Sequence, residues 1–512
     1  MSSKELTKAR EFEARRDAEI APGERPVFHV TPTSGWLNDP NGFSFYQGAV
    51  HLFYQYYPYK TIWGPMHWGH VRSRDFIRWE RLPAAMAPDE VYDADGVFSG
   101  SADVLPDGRQ ILMYTAVQPE ENGTDKPWVQ QQCLAFGDGL DYVKYDGNPV
   151  LASADLPFEI RRTDFRDPKI WRDEEAHCWR AVIAVCLPDE TGAICLFESR
   201  DALHWQYAAT LDESRGEFGQ MWECPDFYEL DGKAVLAVSP MKLRAKSPQF
   251  SNGNTTIALI GSFNRRTCAF TREAVQALDG GLDFYAPQTL AMPDGRRIMI
   301  AWMQSWESSS FVPDGAQWYG MLTLPREIRI RNGRLLQRPV RELEQYRRGP
   351  VRFADVPVKG QCELPGVRGR VLDLGLAVRP ASLNGGHSSG DGTDSERNGS
   401  DALRRFRIRF AVGDGFCTAL TWDVEDGTLT LDRSLSGFPY NIAMMRTVPL
   451  AVRSDVLRLR IILDRFSAEI FVGDGEQVLS VCIYTPQSAD GISFEAAGAA
   501  LLTVEKYDIV VE

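Results

Sequence analysis

The sequence predicts an all-β chain of two domains, a β-propeller followed by a β-sandwich. Three observations carry this. From Pro26 to about residue 340, short strand-like runs recur between Gly, Asp, Asn and Pro, without a long helical period. A motif repeats within that stretch: Ser73-Arg74-Asp75-Phe76-Ile77-Arg78-Trp79 returns as Ser199-Arg200-Asp201-Ala202-Leu203-His204-Trp205. An Asp-Pro pair precedes each copy, Asp39-Pro40 by 34 residues and Asp167-Pro168 by 32. A recurring unit of ~40–50 residues is the size of a four-stranded propeller blade. Third, the last 155 or so residues carry alternating strands of the kind a sandwich needs. At 512 residues the chain also exceeds what one core accommodates.

In chain order, residues 1–25 read as a short charged helical arm, with Leu6, Ala9, Phe12 and Ala18 as a weak apolar stripe. The propeller is expected over 26–340, with strands such as Ala49–Tyr56, Gln110–Thr115, Trp179–Val185, Ala234–Ser239 and Arg297–Met303. Residues 341–356 are charged, contain Pro and read as a linker. The sandwich follows over 357–512, clearest at Leu457–Leu463, Ala468–Val472 and Val478–Ile483. Within it, residues 380–401 are rich in Gly, Ser, Asp and Asn and predict a mobile loop.

A net charge of −14 argues against nucleic acid or an anionic membrane as partner. No apolar run approaches the ~20 residues of a membrane span, and the N-terminal residues form no secretory leader. The nine cysteines include no C-x-x-C pair, which fits reduced thiols in a cytoplasm.

The chemistry centres on Trp36-Leu37-Asn38-Asp39-Pro40-Asn41-Gly42. Pro40 forces an extended backbone on Asp39, and Asn41-Gly42 turns the chain just beyond it. A carboxylate so mounted holds one position. Glu223-Cys224-Pro225-Asp226 is a third acid-near-Pro start, so Asp39, Asp167 and Glu223 should meet where the innermost strands converge. Paired carboxylates are the usual apparatus for cleaving a glycosidic bond. Gln55 can bond sugar hydroxyls, and Trp63, Phe98 and Trp306 offer flat apolar faces. Arg166 stands beside Asp167 and should keep it ionised. His67 and His70 fall on opposite faces of a strand, so no metal site is expected there. Cys224 lacks a His–Asp partner and reads as a buried thiol. No cofactor is expected.

As an ordered set these stretches resemble the β-fructofuranosidases of glycoside hydrolase family 32, which include invertases and sucrose-6-phosphate hydrolases. The resemblance runs from about residue 27 to the end. It is carried by Trp36–Gly42, Phe53–Tyr56, Trp63–His70, Phe98–Ser101, Phe165–Pro168, Trp222–Asp226, Asp283–Ala286, Trp302–Trp306, Leu324–Glu327 and Leu463–Phe471. It implies a five-bladed propeller with a C-terminal sandwich, and retaining hydrolysis through a fructosyl-enzyme. Asp39 matches the nucleophile, Glu223 the general acid/base and Asp167 the transition-state stabiliser. Leu37, Asn38, Pro40, Gln55, Trp63, Phe98, Ser99, Arg166 and Trp306 match substrate contacts. Glu223 would then hold a proton at rest, favoured by burial and two nearby aspartates. The implied partner is a small sugar: sucrose, sucrose 6-phosphate or a short fructo-oligosaccharide. Fructosyl transfer, fructan exo-hydrolysis and an inactive sugar-binding protein are the alternatives. Lys242, Arg244 and Lys246 are candidates for a phosphate on the aglycone. The chain could act as a monomer or a homo-oligomer.

Overall fold

A computed structural model describes residues 3–119, 128–309, 311–381, 402–438, 442–452 and 454–511. It divides into two units, residues 1–278 with 283–335, and residues 279–282 with 336–512.

The first unit is the propeller. Its innermost strands are Gly35–Tyr46, Gly96–Val104, Phe165–Asp173, Trp222–Leu230 and Tyr285–Ala291, each the first strand in chain order of a four-stranded antiparallel blade. Most propeller strands are covered on both faces, so they read as unbroken apolar runs rather than alternating ones. Cys178–Cys186 is buried at every position but the first. Between neighbouring sheets lie apolar seams. One holds Phe53, Trp68, Val97, Leu112 and Tyr114. The next holds Ile111, Met113, Ile170, Ile183 and Trp205. Ring closure uses Trp318–Tyr319, which runs parallel to Gly35–Trp36 at the edge of the first sheet.

The two copies of the repeated motif fold alike. Asp75 Oδ1 accepts from the backbone N–H of Ile77 and Arg78 at 3.0 and 2.8 Å. Asp201 Oδ1 does the same for Leu203 and His204, both at 2.9 Å. In both turns the Trp indole N–H donates to a carbonyl three residues back, at 3.0 Å. The acid thus satisfies backbone donors that the turn leaves unpaired.

The N-terminal arm is the helix Lys4–Asp17, capped by Ser3. It lies along the outer strand Glu80–Met86 of the first blade. Leu6, Ala9 and Glu13 are buried. Glu13 accepts from the Ala84 N–H at 2.7 Å and Arg10 donates to the Ala84 carbonyl at 2.9 Å, so the helix covers a sheet edge.

The second unit is the β-sandwich. Its longest strand, Gly491–Ile509, pairs with Arg405–Gly413 through its first part and with Leu372–Pro380 through its last. Burial alternates, as in Thr428–Leu435, and the inward set includes Phe406, Ile408, Leu429, Leu431, Ile461, Ile470 and Phe494. The expected linker differs here. Arg341–Tyr346 form a 3-10 turn, and Arg347–Cys362 is a strand paired along Gly491–Ile509. Its outward charges, which look linker-like in sequence, are the solvent face of an edge strand. The mobile loop expected at 380–401 lies outside the described residues from 382 onward.

Candidate active site

At equivalent points the five innermost strands each carry one residue more than their partners. Residues 38–39 oppose only Gln55, and Ser99 is extra between Phe98 and Gly100. Residues 167–168 oppose Ile183, 224–225 oppose Val238, and 286–287 oppose Ala301. Such bulges break the two-residue alternation, so consecutive side chains can turn toward one side. Asp167, Cys224 and Ala286 adopt left-handed backbone, with φ of 62°, 48° and 52°. That conformation is costly for a residue with a Cβ, about 1–2 kcal/mol each, and such strain concentrates at working sites.

Three of the bulges contribute Asn38, Asp39, Ser99 and Asp167 to a cavity of about 740 Å³, lined also by Gln55, Trp63, Phe98, Arg166, Glu223 and Trp306. All three expected acids are there. Two expected contacts are not: Leu37 and Pro40 are buried and do not line the cavity. Leu37 pairs with Tyr56 and Pro40 with Tyr54, on either side of the bulge that carries Asn38 and Asp39.

Ser99 Oγ donates to Asp39 Oδ2 at 2.7 Å, and the Cys224 thiol reaches the same oxygen at 3.5 Å. Asp39 Oδ1 is buried without a partner. The same Cys224 sulfur lies 3.6 Å from Asp167 Oδ2, which also accepts the Cys224 backbone N–H at 2.9 Å. Cys224 therefore joins two carboxylates, a role the sequence did not disclose. Burial and the surrounding acids keep its thiol well above the ordinary range.

Arg166 also departs from expectation. Its Nε and Nη2 donate to Glu223 Oε1 at 3.2 and 3.0 Å, and Nη1 to Asp164 at 2.8 Å. Asp167 is 3.9 Å away. Burial outweighs this cation, and with Glu223 and Asp39 nearby the Asp167 carboxyl is pushed up to about 7. Burial also raises Asp39, against the hydrogen bond from Ser99. The other Glu223 oxygen accepts the Tyr285 hydroxyl at 2.6 Å.

The surroundings are pinned. Gln55 donates to the Val97 carbonyl at 3.0 Å, and Asn38 accepts the Trp36 indole N–H at 2.8 Å. Trp306 stacks near Trp36 with an 18° interplanar angle, and Trp63 meets Phe98 edge-on. Trp128, Gln130, Asp164 and Tyr285 were not singled out from sequence. Tyr285 lies in the stretch Asp283–Ala286, but only the structure puts its hydroxyl on Glu223. Of the pair His67 and His70, His70 Nε2 lies 3.0 Å from His51 Nδ1 inside the first blade.

Residues 29–339 match the glycosyl hydrolases family 32 N-terminal domain, and residues 342–510 the family 32 C-terminal domain. A sucrose-6-phosphate hydrolase of Zymomonas mobilis is 36% identical over 93% of this chain and 89% of its own. A raffinose invertase of Escherichia coli is 35% identical over 93% of both chains. Among solved structures, a Bombyx mori GH32 beta-fructofuranosidase superposes with a TM-score of 0.80 at 34% identity, covering 98% of each chain. With both domains matched in order and the acids gathered in one cavity, the chain belongs to glycoside hydrolase family 32.

Proposed function

We propose that this glycoside hydrolase releases terminal β-fructofuranosyl groups from a small sugar by double displacement, with Asp39 as nucleophile. The observation carrying this is the asymmetry of Asp39. Oδ2 is held by Ser99 and Cys224, and Oδ1 is buried without a partner. Oδ1 is closed off from the cavity, so Oδ2, fixed by these two donors and only part-buried, is the oxygen presented to the anomeric carbon. Glu223 gives its proton to the leaving oxygen, then takes one from the water that frees fructose from Asp39. Asp167, gripped through Oδ2, offers Oδ1 to the hydroxyls of the fructosyl ring.

Sucrose is the substrate best supported. The similar enzymes from Zymomonas mobilis and Escherichia coli are named for sucrose 6-phosphate and raffinose hydrolysis, and a variant of the Bombyx mori enzyme was solved with sucrose. Three cations line the cavity. Arg161 pairs with Asp164 and Glu190, and Arg166 with Asp164 and Glu223. Lys242 also lines it, without an acidic partner among the described residues, which supports it as the cation for a phosphate on the glucose. Arg244 and Lys246 do not line it. All nine cysteines are free, in keeping with a reducing cytoplasm.

The test is fructose release from sucrose, sucrose 6-phosphate and kestose. No fructose from any of them, with Asp39 intact, rejects the reading. Trisaccharide as the main product at high sucrose would assign the same intermediate to transfer.

A further inference from the structure

The innermost strands have a second end. Their C-terminal halves, with Arg297 from the neighbouring strand, line another cavity of about 730 Å³. Five cations line it, Lys169, Arg172, Arg180, Arg265 and Arg297, and of these Arg180 and Arg265 pair with Asp173, Glu175 and Glu229 in the same wall. Lys169, 8% exposed, donates to the Thr289 carbonyl at 2.7 Å and lies 3.3 Å from Asp226. Arg297 donates to the Thr289 hydroxyl at 2.9 Å, and its guanidinium lies 4.6 Å over the Tyr228 ring. Among the described residues no carboxylate comes within ion-pairing distance of Arg297.

Asp226 is already bound by the Thr289 hydroxyl and backbone N–H and by Lys169, and forms no ion pair with the half-buried Arg297. Asp103, in the same wall, is tied to the backbone N–H groups of Val104 and Arg172 at 2.7 and 2.9 Å. Tyr228 completes the set. It is 4% exposed, lines the cavity, and its hydroxyl has no partner. A buried hydroxyl without a partner and a half-buried guanidinium without a carboxylate leave donors free for an occupant. A neutral sugar would satisfy the hydroxyl and leave the charge.

We propose that this cavity binds a small oxyanion, a carboxylate or phosphate group, between the Arg297 guanidinium, the Tyr228 hydroxyl and the Lys169 ammonium. It is separate from the catalytic cavity, whose acids sit toward the opposite ends of the same strands.

The experiment is calorimetric titration of the full chain with inorganic phosphate and with malonate, in saturating fructose to occupy the catalytic cavity. Binding of either anion by the unmodified protein is expected. It should weaken at least tenfold in Arg297→Met, whose stem still covers Tyr228, and severalfold in Tyr228→Phe, which removes one oxygen. Fructose release should be unchanged in both. No binding of either anion up to about 10 mM overturns the proposal. Binding that fructose displaces, or that both variants retain, overturns it too. Should Arg297→Met fail to fold, Tyr228→Phe decides alone.

Discussion

Replacing Asp167 by Asn separates what this carboxylate costs the fold from what it does for the reaction. Asn keeps the shape, and its carbonyl oxygen can still accept the Cys224 N–H that Asp167 Oδ2 accepts at 2.9 Å. Burial, joined by the charges of Glu223 and Asp39, pushes Asp167 up to about 7. Below about pH 4 the aspartate is protonated in folded and unfolded chains alike, and the variant should match the parent. Between about pH 4 and 7 the unfolded chain ionises freely while the folded one resists, so the parent loses stability as pH rises. If Asp167 bore the whole effect, the loss would be ~4 kcal/mol. The three acids titrate together and Arg166 loses an anionic neighbour in the variant, so a net gain of about 1–2 kcal/mol at pH 8 is expected. Urea unfolding of both proteins at pH 4.5 and pH 8 measures it. Turnover should fall by about 10²–10³ because the stabilising charge is gone. A variant no more stable than the parent at pH 8, or equally favoured at both pH values, refutes the reasoning.

Ser99→Ala removes the hydrogen bond that holds Asp39 down, so the acidic limb of the kcat/KM profile should move to higher pH; an unmoved limb counts against Asp39 as the ionised nucleophile. Lys242→Ala should lower kcat/KM on sucrose 6-phosphate by about tenfold and leave sucrose alone, and parallel loss on both sugars would remove Lys242 from phosphate recognition. At Gly320 (φ 91°) a Cβ would lie 2.0 Å from the Leu37 carbonyl oxygen, two residues before Asp39. Gly320→Ala should therefore cost about 2–4 kcal/mol by thermal unfolding and also lower kcat, and a fully active, stable variant would contradict it.

The parts legible in sequence are those encoded by local chemistry. Asp75 and Asp201 close identical turns with their own side chains, so the repeat survived as four matching positions in seven, Ser, Arg, Asp and Trp, and disclosed the blade. The acids were legible for the same reason, since a bulge needs turn formers and Pro40, Pro168 and Pro225 all stand inside or beside one. What sequence could not convey is which neighbour a charge chooses across blades. Arg166 adjoins Asp167 in the chain, yet strand geometry sends its fork to Glu223, 57 residues away. Tyr285 reaches the same carboxylate from a different sheet. The linker reading failed because charge and proline mark an edge strand as well as a tether, and only pairing with the last strand separates the two. The same reasoning explains Leu37 and Pro40. A motif match assigns a whole stretch to the site, but the bulge divides it, turning Asn38 and Asp39 to the cavity and leaving the residues on either side as its mount.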